Sequence, residues 1–178
     1  CERAARSHDD FLRHRHGWLV LIGLVGLGVI GLVDDWLKLR QPNAAGLRSR
    51  PKLMAALAVG GAIGFLLAAP GTRTVSVPWL ARHLELGWLW IPLAALVIAG
   101  CSHAVNLTDG MDGLASGCLA LVFGVLALWG FFIQDPVVAV WSASLAGVCV
   151  GFLWFNASPA SVFLGDVGAL GLGAALGV

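Results

Sequence analysis

Apolar runs at residues 17–33, 53–69, 86–101, 114–133, 137–155 and 162–178 alternate along the chain with short polar stretches. A membrane-spanning helix needs about 20 residues, within a range of roughly 17 to 25, and most of these runs reach that length once their flanks are included. The third opens on Trp88, Trp90 and Pro92, the composition of an interfacial entry, and its helix is expected to continue to about Val105. The pattern predicts an all-α fold, a polytopic transmembrane helical bundle of about six spans. One stretch departs from it. Residues 72–78 read T-R-T-V-S-V-P, and their alternating β-branched side chains predict a short extracytoplasmic strand or hairpin near residues 72–86.

Composition agrees, since 58% hydrophobic against 12% charged residues, with 24 glycines and 8 tryptophans, excludes a soluble domain of this length. The partner this implies is a lipid bilayer, and no nucleic acid is expected. Lys38, Arg40, Arg48, Arg50 and Lys52 gather after the first run and place that loop in the cytoplasm. Alternation then puts 106–113 and 156–166 in the cytoplasm too, and 70–85 and 134–136 outside. It also puts Arg3, Arg6, Arg13 and Arg15 outside, against the positive-inside rule. The chain has no initiator Met or signal peptide, and its last run stops at Val178 without a polar flank. The expectation is a single membrane-embedded domain over 1–178, truncated at both ends.

Several patterns are set aside. Gly26-Leu27-Gly28-Val29-Ile30-Gly31 matches G-x-G-x-x-G, but a dinucleotide site needs a preceding strand and a soluble βαβ unit, and this match lies inside an apolar run. Helix packing through small residues is the better reading, and it extends to Gly60/Gly64, Gly147/Gly151 and Gly173/Gly177. Asn106-Leu107-Thr108 and Asn156-Ala157-Ser158 match the glycosylation acceptor on the wrong side of the membrane. Residues 109–113, D-G-M-D-G, lack the oxygen ligands and closing Glu of a calcium loop. Cys1, Cys101, Cys118 and Cys149 show no C-x-x-C spacing and read as small core residues. The five histidines are scattered, and packing or solvent contact explains them better than the metal-like pair Cys101 and His103.

The acidic groups carry the chemistry. An even number of runs separates Asp34-Asp35, Asp109/Asp112 and Asp166, so they fall on one side of the membrane, and carboxylates gathered there call for a cation or a phosphorylated ligand. On a helix Lys38 lies four residues from Asp34 and three from Asp35 and reaches either. Two acids at a helix C-terminus oppose its dipole, so this set is either a polar helix end or a site. Asn106, Asp109 and Asp112 recur every three residues, and a helical continuation would put them on one face able to hydrogen-bond a base or a sugar, with a solvated loop as the alternative. Asp166 stands between Gly165 and Gly168, whose small size admits phosphate oxygens and a metal. One carboxylate with substrate phosphates and water is the usual way to hold Mg²⁺, and Asp166 is read as its ligand.

Taken together, V-N-L-T-D-G-M-D-G-L-A at 105–115, F-L-W-F-N-A-S-P-A-S-V-F-L-G-D-V-G at 152–168, I-G-L-V-D-D-W-L-K at 30–38 and G-L-R-S-R-P-K-L at 46–53 resemble the bacterial phospho-N-acetylmuramoyl-pentapeptide transferase family. That family lies within the polyprenyl-phosphate sugar-1-phosphate transferase superfamily, and the resemblance runs from about residue 18 to 178. It implies transfer of phospho-MurNAc-pentapeptide from UDP-MurNAc-pentapeptide to undecaprenyl phosphate at the bacterial inner (plasma) membrane, with the active site facing the cytoplasm. The products would be UMP and undecaprenyl-diphospho-MurNAc-pentapeptide, lipid I, in the first membrane step of peptidoglycan synthesis.

The resemblance also distributes roles. Asp34, Asp35 and Asp166 would be catalytic, with Mg²⁺ on Asp166. Lys38, Lys52 and Asn156 would serve the phosphates, Asn106, Asp109 and Asp112 the nucleoside and nearby donor groups, and Phe163 would stack on uracil or pack against lipid. Direct attack by the lipid phosphate is preferred to an aspartyl-phosphate intermediate, because a phosphomonoester with a second pKa of about 6 is already dianionic at neutral pH. A homodimer is compatible with the resemblance. The family carries further helices before this region and a histidine-bearing loop after it, so these 178 residues are not expected to catalyse alone. A related transferase using UDP-GlcNAc is the near alternative. A transporter or channel fragment is the alternative of another class, and acids gathered at one face argue against it.

Overall fold

A computed structural model of the chain describes residues 2–40, 47–68, 74–77 and 82–178. Among these, six helices form the fold: α1 (Glu2–Arg40), α2 (Ser49–Leu67), α3 (Trp90–Thr108), α4 (Leu114–Phe132), α5 (Pro136–Asn156) and α6 (Gly165–Gly177). Five segments, Arg15–Arg40, Ser49–Leu67, Gly87–Thr108, Leu114–Phe132 and Pro136–Asn156, are long and apolar enough to cross a membrane. The sixth run forms a helix of 13 residues, α6, which sits at the centre of the bundle.

The expected hairpin is present as β1 (Thr74–Val77) paired antiparallel with β2 (Arg82–Glu85), in the register Thr74↔Glu85 to Val77↔Arg82. Thr72, Arg73, Pro78 and the connecting turn lie outside the described residues, as do the side chains of Arg3, Arg6 and Arg13. A 3₁₀ turn at Gly87–Leu89 then leads into α3, whose Pro92 sits in the first turn, where its missing N–H costs no helical bond. α3 runs on to Thr108, beyond the expected end near Val105. At the opposite end of the bundle from the acids, Asp135 caps α5 by accepting from Val137 and Val138 N–H, with Pro136 at the first helical position.

α6 packs against both α1 and α3, and it supplies residues to both hydrophobic clusters. One joins Leu27, Ile63, Ile98 and Leu170 across α1, α2, α3 and α6. The other joins Val105, Phe123, Leu145 and Ala169 across α3, α4, α5 and α6. Large apolar side chains such as Leu121, Val125, Phe132 and Trp154 point outward, as lipid-facing positions require. Helices in lipid gain little from the hydrophobic effect and associate through close backbone approach at small residues. Gly60 and Gly64 meet Ala95 and Ala94 of α3, and Gly173 and Gly177 meet Ser102 and Ile98. Gly147 and Gly151 do not follow this expectation: among the described residues nothing lies within 4 Å of a Cβ placed on either. Of the cysteines, Cys149 is buried in the second cluster while Cys118 is exposed.

Candidate active site

Antiparallel packing brings the C-terminal end of α1, the N-terminal ends of α2 and α6 and the C-terminal end of α3 to one end of the bundle. Asp34, Asp35 and Lys38 come from α1, Lys52 from α2 and Asp166 from α6. Asp34, Lys52 and Asp166 are all buried, at 2%, 8% and 8% exposure, so each charge needs a partner. Lys52 Nζ lies 2.8 Å from Asp166 Oδ2 and 3.2 Å from Asp34 Oδ2. Lys38 Nζ lies 2.8 Å from Asp34, 3.3 Å from Asp35 and also contacts Asp166. The Leu47 N–H donates to Asp34 Oδ1 and the Val167 N–H to Asp35 Oδ2. Three carboxylates against two ammonium groups leave the cluster one positive charge short of neutral.

α1 does not end at the acids. It continues six residues past Asp34 to Arg40, and Lys38 and Arg40 occupy its last turn, where positive charge complements the helix dipole. The acidic pair therefore lies inside the helix rather than at its end. Two glycines permit the assembly. A Cβ on Gly31 would run into the Asp166 carbonyl, so only glycine lets α1 and α6 approach this closely. Gly165 adopts φ +67° at the start of α6, and a Cβ there would sit 3.1 Å from Asp35 Oδ2.

One oxygen from each of Asp34, Asp35 and Asp166 can be chosen so that all lie within 4.8 Å of one another. Hard oxygen donors at that spacing suit Mg²⁺, Ca²⁺ or Mn²⁺. The lysines offset two of the three carboxylate charges. The Lys38 side chain is 43% exposed, whereas that of Lys52 is buried between Asp34 of α1 and Asp166 of α6. The cluster forms the polar end of a cleft of about 650 Å³ between α2 and α3, lined further by Ser49, His103 and Asn106, with Leu57 and Leu96 along its apolar wall.

The remaining expected residues form a neighbouring group. Asn106 and Leu107 end the helical stripe facing the cleft, and Asp109 and Asp112 do not continue it: α3 stops at Thr108, and the chain turns through Gly113 at φ +72°. The shared helical face of Asn106, Asp109 and Asp112 is thereby corrected. Asp109 instead accepts from Gly165 N–H at 3.0 Å and Asp112 from Ala160 N–H at 3.1 Å, so both carboxylates hold the 157–164 loop and the start of α6. Burial pushes the Asp109 carboxyl up from its ordinary range, helped by the charges of Asp166 and Asp35 and opposed by the Gly165 hydrogen bond. Phe163 is exposed on that loop. Asn156 is fully buried. Its Oδ1 accepts from Ser116 Oγ at 2.7 Å and Gly113 N at 3.2 Å, and its Nδ2 donates to Val162 O at 2.9 Å. This joins α4, α5 and the loop, a tie that the N-A-S-P stretch alone did not reveal.

The chain matches the family described as glycosyl transferase family 4 over residues 17–178. It is similar to proteins named phospho-N-acetylmuramoyl-pentapeptide-transferase. That of Thermodesulfovibrio yellowstonii is 39% identical over 93% of this chain and 52% of its own length. That of Geobacter sp. (strain M21) is 43% identical over 90% of the chain and 50% of its own, and that of Oceanobacillus iheyensis 41% identical over 89% and 49%. The chain thus spans about half the length of the curated relatives it matches.

Proposed function

The chain belongs to glycosyl transferase family 4, and on that premise we propose that the protein transfers phospho-MurNAc-pentapeptide from UDP-MurNAc-pentapeptide to undecaprenyl phosphate, forming lipid I and UMP. The names of its relatives support this reading. The observation that carries it is the convergence of Asp34, Asp35, Asp166, Lys38 and Lys52 at one end of a membrane bundle. One substrate carries its phosphate at the membrane surface and the other is a soluble nucleotide, so a catalyst for both belongs at such an end. By the distribution of basic residues that end faces the cytoplasm, across the bacterial plasma membrane.

Phosphoryl transfer asks the protein chiefly for positioning and charge stabilisation. Asp166, with Asp34 and Asp35 beside it, would hold Mg²⁺, which when bound neutralises charge developing on the UMP leaving group. Lys52 stays in place between α1 and α6 and presents its ammonium to phosphate oxygens, while Lys38 swings from the carboxylates toward the incoming phosphate. The acceptor phosphate attacks the sugar-linked phosphorus and the bond to UMP breaks. Because that acceptor is mostly dianionic at neutral pH, Asp34 and Asp35 are not needed to deprotonate it and act by orienting it through the lysines they hold or by binding metal. Asn106 contacts the donor from the cleft, Asp109 and Asp112 set the loop that carries Phe163 toward the uracil, and Asn156 holds the base of that loop.

The test is UMP release by the full-length gene product in detergent, supplied with undecaprenyl phosphate and either UDP-MurNAc-pentapeptide or UDP-GlcNAc, with and without Mg²⁺. Mg²⁺-dependent release with the muramoyl donor alone is expected. Release with UDP-GlcNAc reassigns the donor, and release with neither refutes a transferase. A phosphorylated Asp34 or Asp35 trapped with donor in the absence of acceptor would overturn the direct attack.

A further inference from the structure

The α2–α3 cleft holds a polar group that the proposed reaction does not use. Along α3, Leu96, Ala99, Gly100, His103, Asn106 and Leu107 recur at helical spacings of three and four and line the cleft as one stripe. The stripe is apolar through Gly100 and then presents an imidazole and a carboxamide in the turns that reach the acid–lysine cluster. His103 Nε2 is shielded from solvent and has no hydrogen-bond partner. Buried polar atoms in folded proteins nearly always have one, and an orphan beside an open cleft marks the place where a bound group completes the set.

The chemistry of that group follows from its neighbours. The polar end of the cleft also holds Lys38 and Lys52, while the carboxylates of Asp34 and Asp166 are already engaged by those lysines. A ligand atom that benefits from two ammonium groups and an N–H donor is an anionic oxygen. We propose that His103 is a substrate-binding residue whose Nε2–H donates to a phosphoryl oxygen at this end of the cleft. The inference rests on the transferase reading above, in which both substrates carry such an oxygen.

The experiment measures kcat and the separate KM values for UDP-MurNAc-pentapeptide and undecaprenyl phosphate in the full-length gene product, for wild type, His103→Leu, His103→Ala and His103→Gln. Thermal unfolding in the same detergent monitors the fold. Loss of one hydrogen bond to a charged group is expected to raise a KM by about tenfold or more in both apolar variants, with kcat changing less. Gln, which retains an N–H donor of similar reach, is expected to recover most of the loss. A rise confined to the donor KM identifies the nucleotide diphosphate, and one confined to the acceptor KM the lipid phosphate. Unchanged KM values in folded apolar variants of an active enzyme overturn the role of His103 and leave the transferase standing. A rise that Gln does not recover and that follows a fall in unfolding temperature also overturns it, as a packing effect. A wild-type protein that releases no UMP removes the transferase reading and this inference with it.

Discussion

Gly31→Ala tests how closely α1 and α6 must approach for the site to exist. A Cβ at this position would lie 2.7 Å from Val167 Cα and closer still to the carbonyl group of Asp166. Non-bonded carbons rest at about 3.5–4.0 Å, so the two backbones must part by roughly 1 Å, and no rotamer change helps because the obstructing atoms are main chain. The separation falls on the site itself, since Asp34 and Asp35 follow Gly31 by three and four residues and Asp166 carries the obstructing carbonyl. Moving Asp166 by that amount takes the 2.8 Å contact to Lys52 out of hydrogen-bond range. Overpacking costs about 1–3 kcal/mol and the better helix propensity of Ala returns about 1, so the expected loss of stability is about 0–2 kcal/mol. Turnover is far more sensitive, because a misplacement of about 1 Å lowers a rate by about 10²-fold. The assay is UMP release at saturating substrates beside thermal unfolding in the same detergent. Gly124→Ala is the control, because among the described residues nothing lies within 4 Å of its added Cβ. Wild-type turnover in Gly31→Ala would refute the claim that glycine contact between α1 and α6 sets the site.

Asp166→Asn should reduce Mg²⁺-dependent UMP release to background while the protein still elutes as a folded species, and retained Mg²⁺-dependent turnover would remove Asp166 from the site. Lys52→Met strips the buried cation between Asp34 and Asp166; with Lys38 still present the cost should fall near the lower end for a broken buried pair, about 3 kcal/mol. Mg²⁺ should then raise the unfolding temperature of Lys52→Met more than that of wild type, and an equal shift in both would argue against a cation at this cluster. Asp109 holds its proton to higher pH in the fold than in the unfolded chain, so its contribution is stabilising below the ordinary carboxylate range and is lost as pH rises through its elevated folded value. Asp109→Asn should therefore flatten the stability–pH curve above about pH 4, and an unaltered curve would sink this assignment. Asn156→Ala leaves Gly113 N–H and Val162 O without their partner, while Ser116 Oγ keeps the Gly113 carbonyl at 3.4 Å. It should lower stability by about 1–3 kcal/mol for each group that stays dry, and a normal unfolding temperature with an altered donor KM would recast Asn156 as a ligand contact.

Parity of the apolar runs was enough to put Asp34, Asp109 and Asp166 at one end of the bundle, because each added span reverses the chain and no finer geometry is required. Helical spacing likewise yielded the reach of Lys38 to both neighbouring acids. The partners of Lys52 and the backbone donors from Leu47 and Gly165 were not legible, since they come from segments distant in sequence that meet only when the bundle closes. The turn after Thr108 was left open between a helical continuation and a loop, because every-third-residue spacing says where side chains would fall on a helix, not whether the helix continues. His103 was set aside for a related reason: its metal-like spacing from Cys101 in an apolar run points no further than packing or solvent contact, and its interest comes from an unpaired atom beside a cleft.

Hydropathy is also silent about which helix is central, because in a membrane the residues facing lipid and those facing protein are equally apolar. Glycine spacing narrows the choice without settling it: Gly173/Gly177 and Gly147/Gly151 share one spacing, yet the first pair meets α3 and the second meets nothing within 4 Å among the described residues. What distinguishes α6 is that most of its residues are buried, with small residues on more than one of its faces. Gly171 lies against Leu24 and Gly28 of α1, while Gly173 and Gly177 lie against Ser102 and Ile98 of α3, and Ser102 Oγ donates to Leu170 O at 3.1 Å. A helix thin on both sides lets α1 and α3 close around it, and that closure brings the carboxylate at its first turn within reach of lysines from α1 and α2. The glycines of α6 and the buried Asp166 are therefore one device, in which the packing that makes a charge costly to bury also delivers the cations that make it tolerable.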